Sequence, residues 1–170
     1  ARRFTTVHAV EGNAIAARHA AANAQANGIT NVVQESRSVE AWFRRRADKV
    51  GRPDFVVLDP PRSGMGADLA GRLADLAPAR IAYVSCDPDT LARDLDHFTR
   101  LGFGVSTLRP LDMIPLTDEV ETVAVVRRLG PRPPRIAYED DEIVIVEKGP
   151  HEPTTPQGEY ASSLLHRARK

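Results

Sequence analysis

Six short β-branched runs separated by helical patterns fill the first 128 residues, and this alternation restricts the chain to a largely parallel sheet covered by helices on both faces. The strand candidates are Thr6 to Val10, Asn31 to Gln34, Phe55 to Leu58, Ile81 to Ser85, Gly104 to Arg109 and Glu121 to Arg127. Asn13 to Ala26 reads as a helix with small residues at Ala17, Ala20, Ala21 and Ala24, a close-approach face, and Asn27-Gly28 supplies its stop. Leu69, Leu73 and Leu76 stripe a second helix, and Leu91, Leu95, Phe98 and Leu101 a third. Only Leu111 to Val120 separates the last two strands. That is too short for a crossover helix, so the two are expected to pair as an antiparallel hairpin at one edge.

Gly130-Pro-Arg-Pro-Pro134 reads as a stiff linker, after which the pattern changes. Ile136 to Val146 looks like two short strands around an acidic turn, too little to bury a core alone. The organisation expected is therefore a catalytic α/β part over 1–129, a linker over 130–134, and over 135–170 the β-rich start of a second domain. The chain has 170 residues, opens on Ala-Arg-Arg-Phe without an initiator Met and stops at Lys170 directly after a helical-looking Ser162 to His166. It is read as part of something longer. With 23 basic and 23 acidic residues there is no global field that advertises nucleic acid, so a polyanion would have to meet a local patch. Arg44, Arg45, Arg46, Lys49 and Arg52 form one basic stretch, read as a solvated helix face rather than a phosphate site. The single cysteine excludes an internal disulfide and suits a reducing compartment. No apolar run approaches the ~18 residues of a membrane span. A cytoplasmic protein without membrane contact is expected, and five histidines without ligand spacing predict no metal site.

The chemistry-bearing residues fall at strand ends. Ser85-Cys86-Asp87-Pro88 stands where a strand gives way to a helix, with Asp87 as the natural N-cap and Pro88 as the first helical residue. A thiol there feels the positive end of the helix dipole, which favours the nucleophilic thiolate. The alternative is that Cys86 is a small buried hydrophobe. Asp59-Pro-Pro-Arg-Ser-Gly64 follows the preceding strand at its carboxyl end, where open α/β sheets bind ligands. Asp59 offers a carboxylate there and Arg62 a cation, and if the two strands are neighbours the two loops face one cleft. Glu11 closes the first strand, a position from which an acid can accept hydrogen bonds from ribose hydroxyls. Glu121 opens the last strand and can serve as a general base, with Asp118 and Glu119 crowding beside it; a solvated acidic turn is the equal alternative.

Taken together, Asp59-Pro-Pro-Arg-Ser-Gly64, Ser85-Cys-Asp-Pro-Asp-Thr-Leu-Ala-Arg-Asp94 and Asp112-Met-Ile-Pro-Leu-Thr-Asp-Glu-Val-Glu121 resemble the S-adenosylmethionine-dependent RNA uridine-5-methyltransferases of bacterial tRNA and 23S rRNA. Val10-Glu11 followed by Asn23 to Gly28 is similar to that family's ribose-binding acid and next helix. The resemblance covers about residues 6–128 and implies a Rossmann-like doubly wound methyltransferase sheet lacking its Gly-rich first motif. It implies S-adenosyl-L-methionine as cofactor and RNA as partner. It further implies that Cys86 adds to carbon 6 of the uracil and Glu121 removes the proton at carbon 5, with Glu11 and Asp59 lining the cofactor and base pocket and Arg62 and Asp87 on the substrate side. A soft thiolate and a nearby base are also what the reaction demands of its residues, since uracil carbon 5 is a poor nucleophile until carbon 6 is blocked. The chain departs from the family in carrying Asp87 where Asn is usual and Glu119 where His is usual. Taken alone, the chain is expected to bind cofactor poorly and to be inactive.

Residues 135–170 resemble the opening of RluA-like pseudouridine synthases, in Tyr138 to Lys148, Pro153 to Gly158 and Ser163 to Arg167. Two other readings accompany the methyltransferase: an isomerase identity carried by that downstream domain, and a non-catalytic scaffold that binds RNA or a partner.

Overall fold

The computed structural model describes residues 1–113, 115–117, 119–130, 135–148 and 154; the side chains of residues 46–48 and 135 are outside that description. Outside it too lie Asp118, linker residues 131–134, the helical-looking 162–166 and the second-domain motifs over 153–158 and 163–167, Thr154 excepted. The chain divides into two compact units, residues 1–51 and 52–170.

In the first unit, β1 (Val7–Glu11) and β2 (Val32–Ser36) run parallel, in register from Val7 opposite Val32 to Glu11 opposite Ser36. The connection is α1 (Ala14–Ala26), whose start is set by Asn13: its Oδ1 accepts the backbone N–H groups of Ile15 at 2.9 Å and Ala16 at 3.1 Å. It ends at Gly28, which adopts φ +64° while Ile29 N–H closes on the Ala24 carbonyl at 2.9 Å. Only glycine takes that left-handed turn without penalty. The small-residue face of α1 is corrected here: Ala17 is buried and Ala24 half-buried, but Ala20 and Ala21 are exposed. Helix α2 (Val39–Val50) is capped by Ser38, whose Oγ accepts Ala41 N–H at 3.2 Å. It buries Trp42, edge-on to Phe43, and exposes Arg44, Arg45 and Lys49, as a solvated face requires. Arg52 lies beyond the helix, its Nε donating to the Ala77 carbonyl at 2.7 Å.

The second unit is built on a four-stranded sheet in the order β3-β4-β6-β5. Strands β3 (Phe55–Leu58) and β4 (Arg80–Ser85) are parallel, joined by α3 (Gly66–Asp75). Helix α4 (Pro88–Arg100) leads to β5 (Phe103–Leu111), and β6 (Glu121–Arg128) returns antiparallel to both β4 and β5. The terminal hairpin therefore forms, with its second strand inserted beside β4. Alternation along β4 buries Ile81, Tyr83 and Ser85, and their partners across β6, Val126 and Ala124, are buried with them. Ala70, Leu73, Leu91, Phe98 and Phe103 complete this core; Phe98 and Phe103 meet edge to face with centroids 5.7 Å apart. The apolar stripe of α4 is thus its packing face, with Leu91 and Phe98 fully engaged and Leu95 and Leu101 half-buried.

Further along, β7 (Arg135–Glu139) and β8 (Val144–Glu147) pair antiparallel around an acidic turn. Asp140 organises that turn, accepting the N–H groups of Glu142 and Ile143 on Oδ1 and the Tyr138 hydroxyl on Oδ2. Ile136, Tyr138, Ile143, Val144 and Ile145 remain about half exposed. Among the described residues no helix is long and apolar enough to cross a membrane.

Candidate active site

The carboxyl ends of β3, β4 and β5 and the start of β6 share one edge of the four-stranded sheet. Cys86 follows β4 immediately and is half-buried with a free thiol. The antiparallel register between β4 and β6 runs to Ser85 opposite Thr122. Cys86 is the next residue after Ser85 and Glu121 the one before Thr122, so both lie at this carboxyl edge of the sheet. The sequence separates these two residues by a helix and a strand; the insertion of β6 beside β4 reunites them.

Local chemistry fixes the thiol's backbone. Ser85 Oγ donates to the Asp87 carbonyl at 2.9 Å and accepts Asp87 N–H at 3.2 Å, so a tight loop carries Cys86. Asp87 caps α4: its Oδ1 accepts Thr90 N–H at 2.8 Å, and Pro88 occupies the first turn, where its missing N–H costs nothing. Those donors from Thr90, helped by Asp89 N–H and the nearby Arg62 charge, hold the Asp87 carboxyl below its ordinary pKa.

The loop after β3 lies beside the Cys86 loop because β3 and β4 are hydrogen-bonded neighbours, with Leu58 opposite Tyr83. Asp59 is exposed at the strand's end. A turn follows, Gly64 N–H bonding the Pro61 carbonyl at 2.8 Å, and the loop is fastened to α4 at three points. Thr90 Oγ1 donates to the Arg62 carbonyl at 2.9 Å, Arg93 Nη2 to the Ser63 carbonyl at 2.8 Å, and Asp94 accepts the N–H groups of Met65 at 2.6 Å and Gly66 at 3.2 Å. Asp94 is fully buried and also receives the Tyr83 hydroxyl at 2.6 Å and the Arg93 guanidinium at 2.9 Å. Burial alone would push this carboxyl up; the donors from Met65, Tyr83, Arg93 and Gly66 outweigh it and leave the pKa below its usual value. Tyr83 moves the other way, pushed well up by burial and by its bond to the carboxylate. At Gly64, φ is +74° and a Cβ would fall 2.5 Å from Asp94 Oδ2, so the loop closes onto the clamp only with glycine. The Asp94 clamp escapes a motif-based reading, although an acid one position before Leu95 on the buried stripe of α4 already demands partners.

Arg62 points its guanidinium across the loop mouth to Glu119, in the connection that precedes Glu121. The bond to Glu119 and its charge, followed by the charge of Cys86, raise the Arg62 pKa above its ordinary value. Arg62, Cys86, Asp87, Glu119 and Glu121 thus gather at one edge, with Asp59 at the end of the adjoining strand. Glu11 belongs to the first unit. There it closes β1, its Oε1 accepting Asn13 N–H at 2.6 Å and its carbonyl accepting Arg37 N–H at 3.0 Å. This fixes a carboxylate, a hydrogen-bond acceptor, at a strand's carboxyl end.

The alternating strands and helices have the Rossmann-like α/β fold of S-adenosylmethionine-dependent methyltransferases. Within that class the chain belongs to the tRNA (uracil-5-)-methyltransferase family, whose model matches residues 1–129. An uncharacterized RNA methyltransferase of Lactiplantibacillus plantarum is 39% identical over 130 residues, 75% of this chain and 28% of that protein. One of Geobacter sulfurreducens is likewise 39% identical over 130 residues, 76% of this chain and 26% of that protein. The chain therefore spans little more than a quarter of these relatives. Among solved structures, the tRNA (uracil-54, C5)-methyltransferase of Pyrococcus abyssi, in complex with S-adenosyl-L-homocysteine, superposes with a TM-score of 0.59 at 31% identity, over 74% of this chain and 30% of that one. An rRNA methylase from Streptococcus thermophilus shares the fold at 12% identity, with a TM-score of 0.51 over 74% of each chain.

Proposed function

We propose that the full-length protein transfers a methyl group from S-adenosyl-L-methionine to carbon 5 of a uridine in tRNA or 23S rRNA, through a covalent adduct on Cys86. The observation that supports this reading is the β4–β6 register, which ends with Ser85 opposite Thr122 and so leaves a thiol and a carboxylate, Cys86 and Glu121, at the same edge of the sheet. The Cys86 thiolate attacks carbon 6 of the uracil, and the electron pair displaced from the 5,6 double bond makes carbon 5 nucleophilic. When bound, S-adenosyl-L-methionine would supply the electrophilic methyl group that carbon 5 takes up, its sulfonium becoming the neutral thioether. Glu121 then takes the proton from carbon 5, the double bond re-forms, and the carbon–sulfur bond breaks to return Cys86 as thiolate. Glu11 is oriented for ribose hydroxyls, Asp59 lines the cofactor and base pocket, and Arg62 with Asp87 lies on the substrate side. Membership of the tRNA (uracil-5-)-methyltransferase family and the likeness to the Pyrococcus abyssi enzyme support the reading. The reaction is proposed for the full-length protein, since the chain spans little more than a quarter of the relatives it matches.

The test is to incubate the full-length protein, wild type and Cys86→Ala, with cofactor and 5-fluorouridine-containing tRNA or 23S rRNA transcripts, and to look for a covalent protein–RNA species on a denaturing gel. Fluorine at carbon 5 cannot leave as a proton, so the wild type is expected to be trapped and the variant to give no adduct. Absence of an adduct with every transcript would sink the mechanism.

A further inference from the structure

The guanidinium of Arg62 is already occupied. The backbone around it is tied to α4, where Thr90 holds the Arg62 carbonyl and Arg93 the Ser63 carbonyl. The side chain reaches past these ties to Glu119. It is 60% exposed, and the Glu119 carboxylate that it engages is 39% exposed, so a ligand arriving from solvent can reach both partners of the pair. Glu119 is anchored locally by its own N–H, which bonds Thr117 Oγ1 at 3.3 Å, and it stands two residues before Glu121. The Arg62–Glu119 pair therefore fastens the connection leading into β6 to the loop leading out of β3, beside Cys86. A guanidinium matches the oxygens of a phosphate in the same forked geometry as a carboxylate, so one anion can replace the other without moving the backbone. An exposed pair is weak enough to be exchanged on binding.

We propose that Glu119 is a positioning residue that latches Arg62 until a phosphate of the RNA target takes the guanidinium, so that substrate binding and release of the connection before Glu121 are one event. This rests on the uridine methylation proposed above and assigns a role within it. The latch lowers affinity for RNA, because part of the Arg62–phosphate interaction is spent on breaking an existing pair.

The experiment uses the full-length enzyme as wild type, Glu119→Gln, Arg62→Ala and the double variant. It reads methylation of tRNA and 23S rRNA transcripts, and the Kd for a short labelled oligouridine by fluorescence anisotropy. Glu119→Gln keeps the shape of the side chain and removes its charge. It is expected to lower the KM and Kd for RNA about two- to fivefold, the span an exposed ion pair commands, and to leave the KM for cofactor unchanged. kcat does not rise, since the tighter hold on phosphate is shared by bound substrate and transition state. Arg62→Ala raises the KM for RNA, and on that background Glu119→Gln has no further effect. Three outcomes overturn the latch: an unchanged or higher KM for RNA in Glu119→Gln, an effect that persists without Arg62, or a shift in the KM for cofactor instead, which would make the exchanged anion the cofactor's carboxylate. A wild type that methylates no transcript defeats the proposed reaction, while the oligouridine Kd values still decide the exchange.

Discussion

Asp94 determines how well the loop beside Cys86 keeps its shape. Its carboxylate joins α4, Tyr83 of β4 and the backbone of Met65 and Gly66 at the start of α3, with no exposure to solvent. Removing it leaves a phenol and two amides buried without an acceptor, each costing about 1–3 kcal/mol. Asp94→Ala is therefore expected to lower the urea midpoint far more than Tyr83→Phe, which deletes one donor for about 1 kcal/mol. The pH dependence follows from the direction of the shift. Because the folded-state pKa of Asp94 lies below its unfolded value, the stability it contributes is present above about pH 4 and is lost as pH falls further through the folded pKa. Urea midpoints between pH 7 and pH 3 check this: the wild type should lose more stability on acidification than Asp94→Asn, and parallel curves would show that the clamp is held by shape rather than charge. None of this is announced by the motif Ser85 to Asp94, where Cys86 and Asp87 draw the eye. The tertiary partners of Asp94 lie 11 to 29 residues earlier, and a linear pattern does not pair them.

The elements were largely legible because each carries its own periodicity and punctuation. β3 runs over Phe55–Leu58, as its apolar run alone predicts, and α4 begins at Pro88 behind its Asp87 cap. What the pattern does not encode is chain path. β6 could have closed the sheet outside β5, and its position between β4 and β5 is what sets its first residues beside the end of β4, the edge that carries Cys86. The Ala20 and Ala21 surface misleads for a related reason: alanine is equally at home in a packed face and on an exposed helix with high intrinsic propensity. The cap itself is testable. Asp87→Ala leaves Thr90 N–H without its acceptor and loosens the turn from which Thr90 also holds Arg62. A fall of several degrees in Tm is expected, with Asp87→Asn close to wild type because asparagine caps equally well; a Tm unchanged in both variants would mean that Pro88 alone sets the helix start.

At the scale of the chain, the formal charge of zero and the distribution of acids bear on how the RNA of the proposed reaction would approach. The carboxyl edge of the four-stranded sheet carries Asp59, Asp87, Glu119 and Glu121 against the exposed Arg62. A phosphate backbone laid along this edge would meet carboxylates at most steps, so under the proposed reaction the target uridine would be extended toward Cys86 out of its stack. In the proposed exchange Arg62 accounts for one phosphate. For single-stranded RNA each neutralised phosphate contributes about 0.7 to the slope of log affinity against log salt. Arg62→Ala in the full-length enzyme is therefore expected to make that slope shallower by about 0.7 for the labelled oligouridine, whatever the total slope is. A loss of two or more phosphate equivalents would mean that the chain runs along this edge despite its acids, and no loss would remove Arg62 from the phosphate contacts altogether.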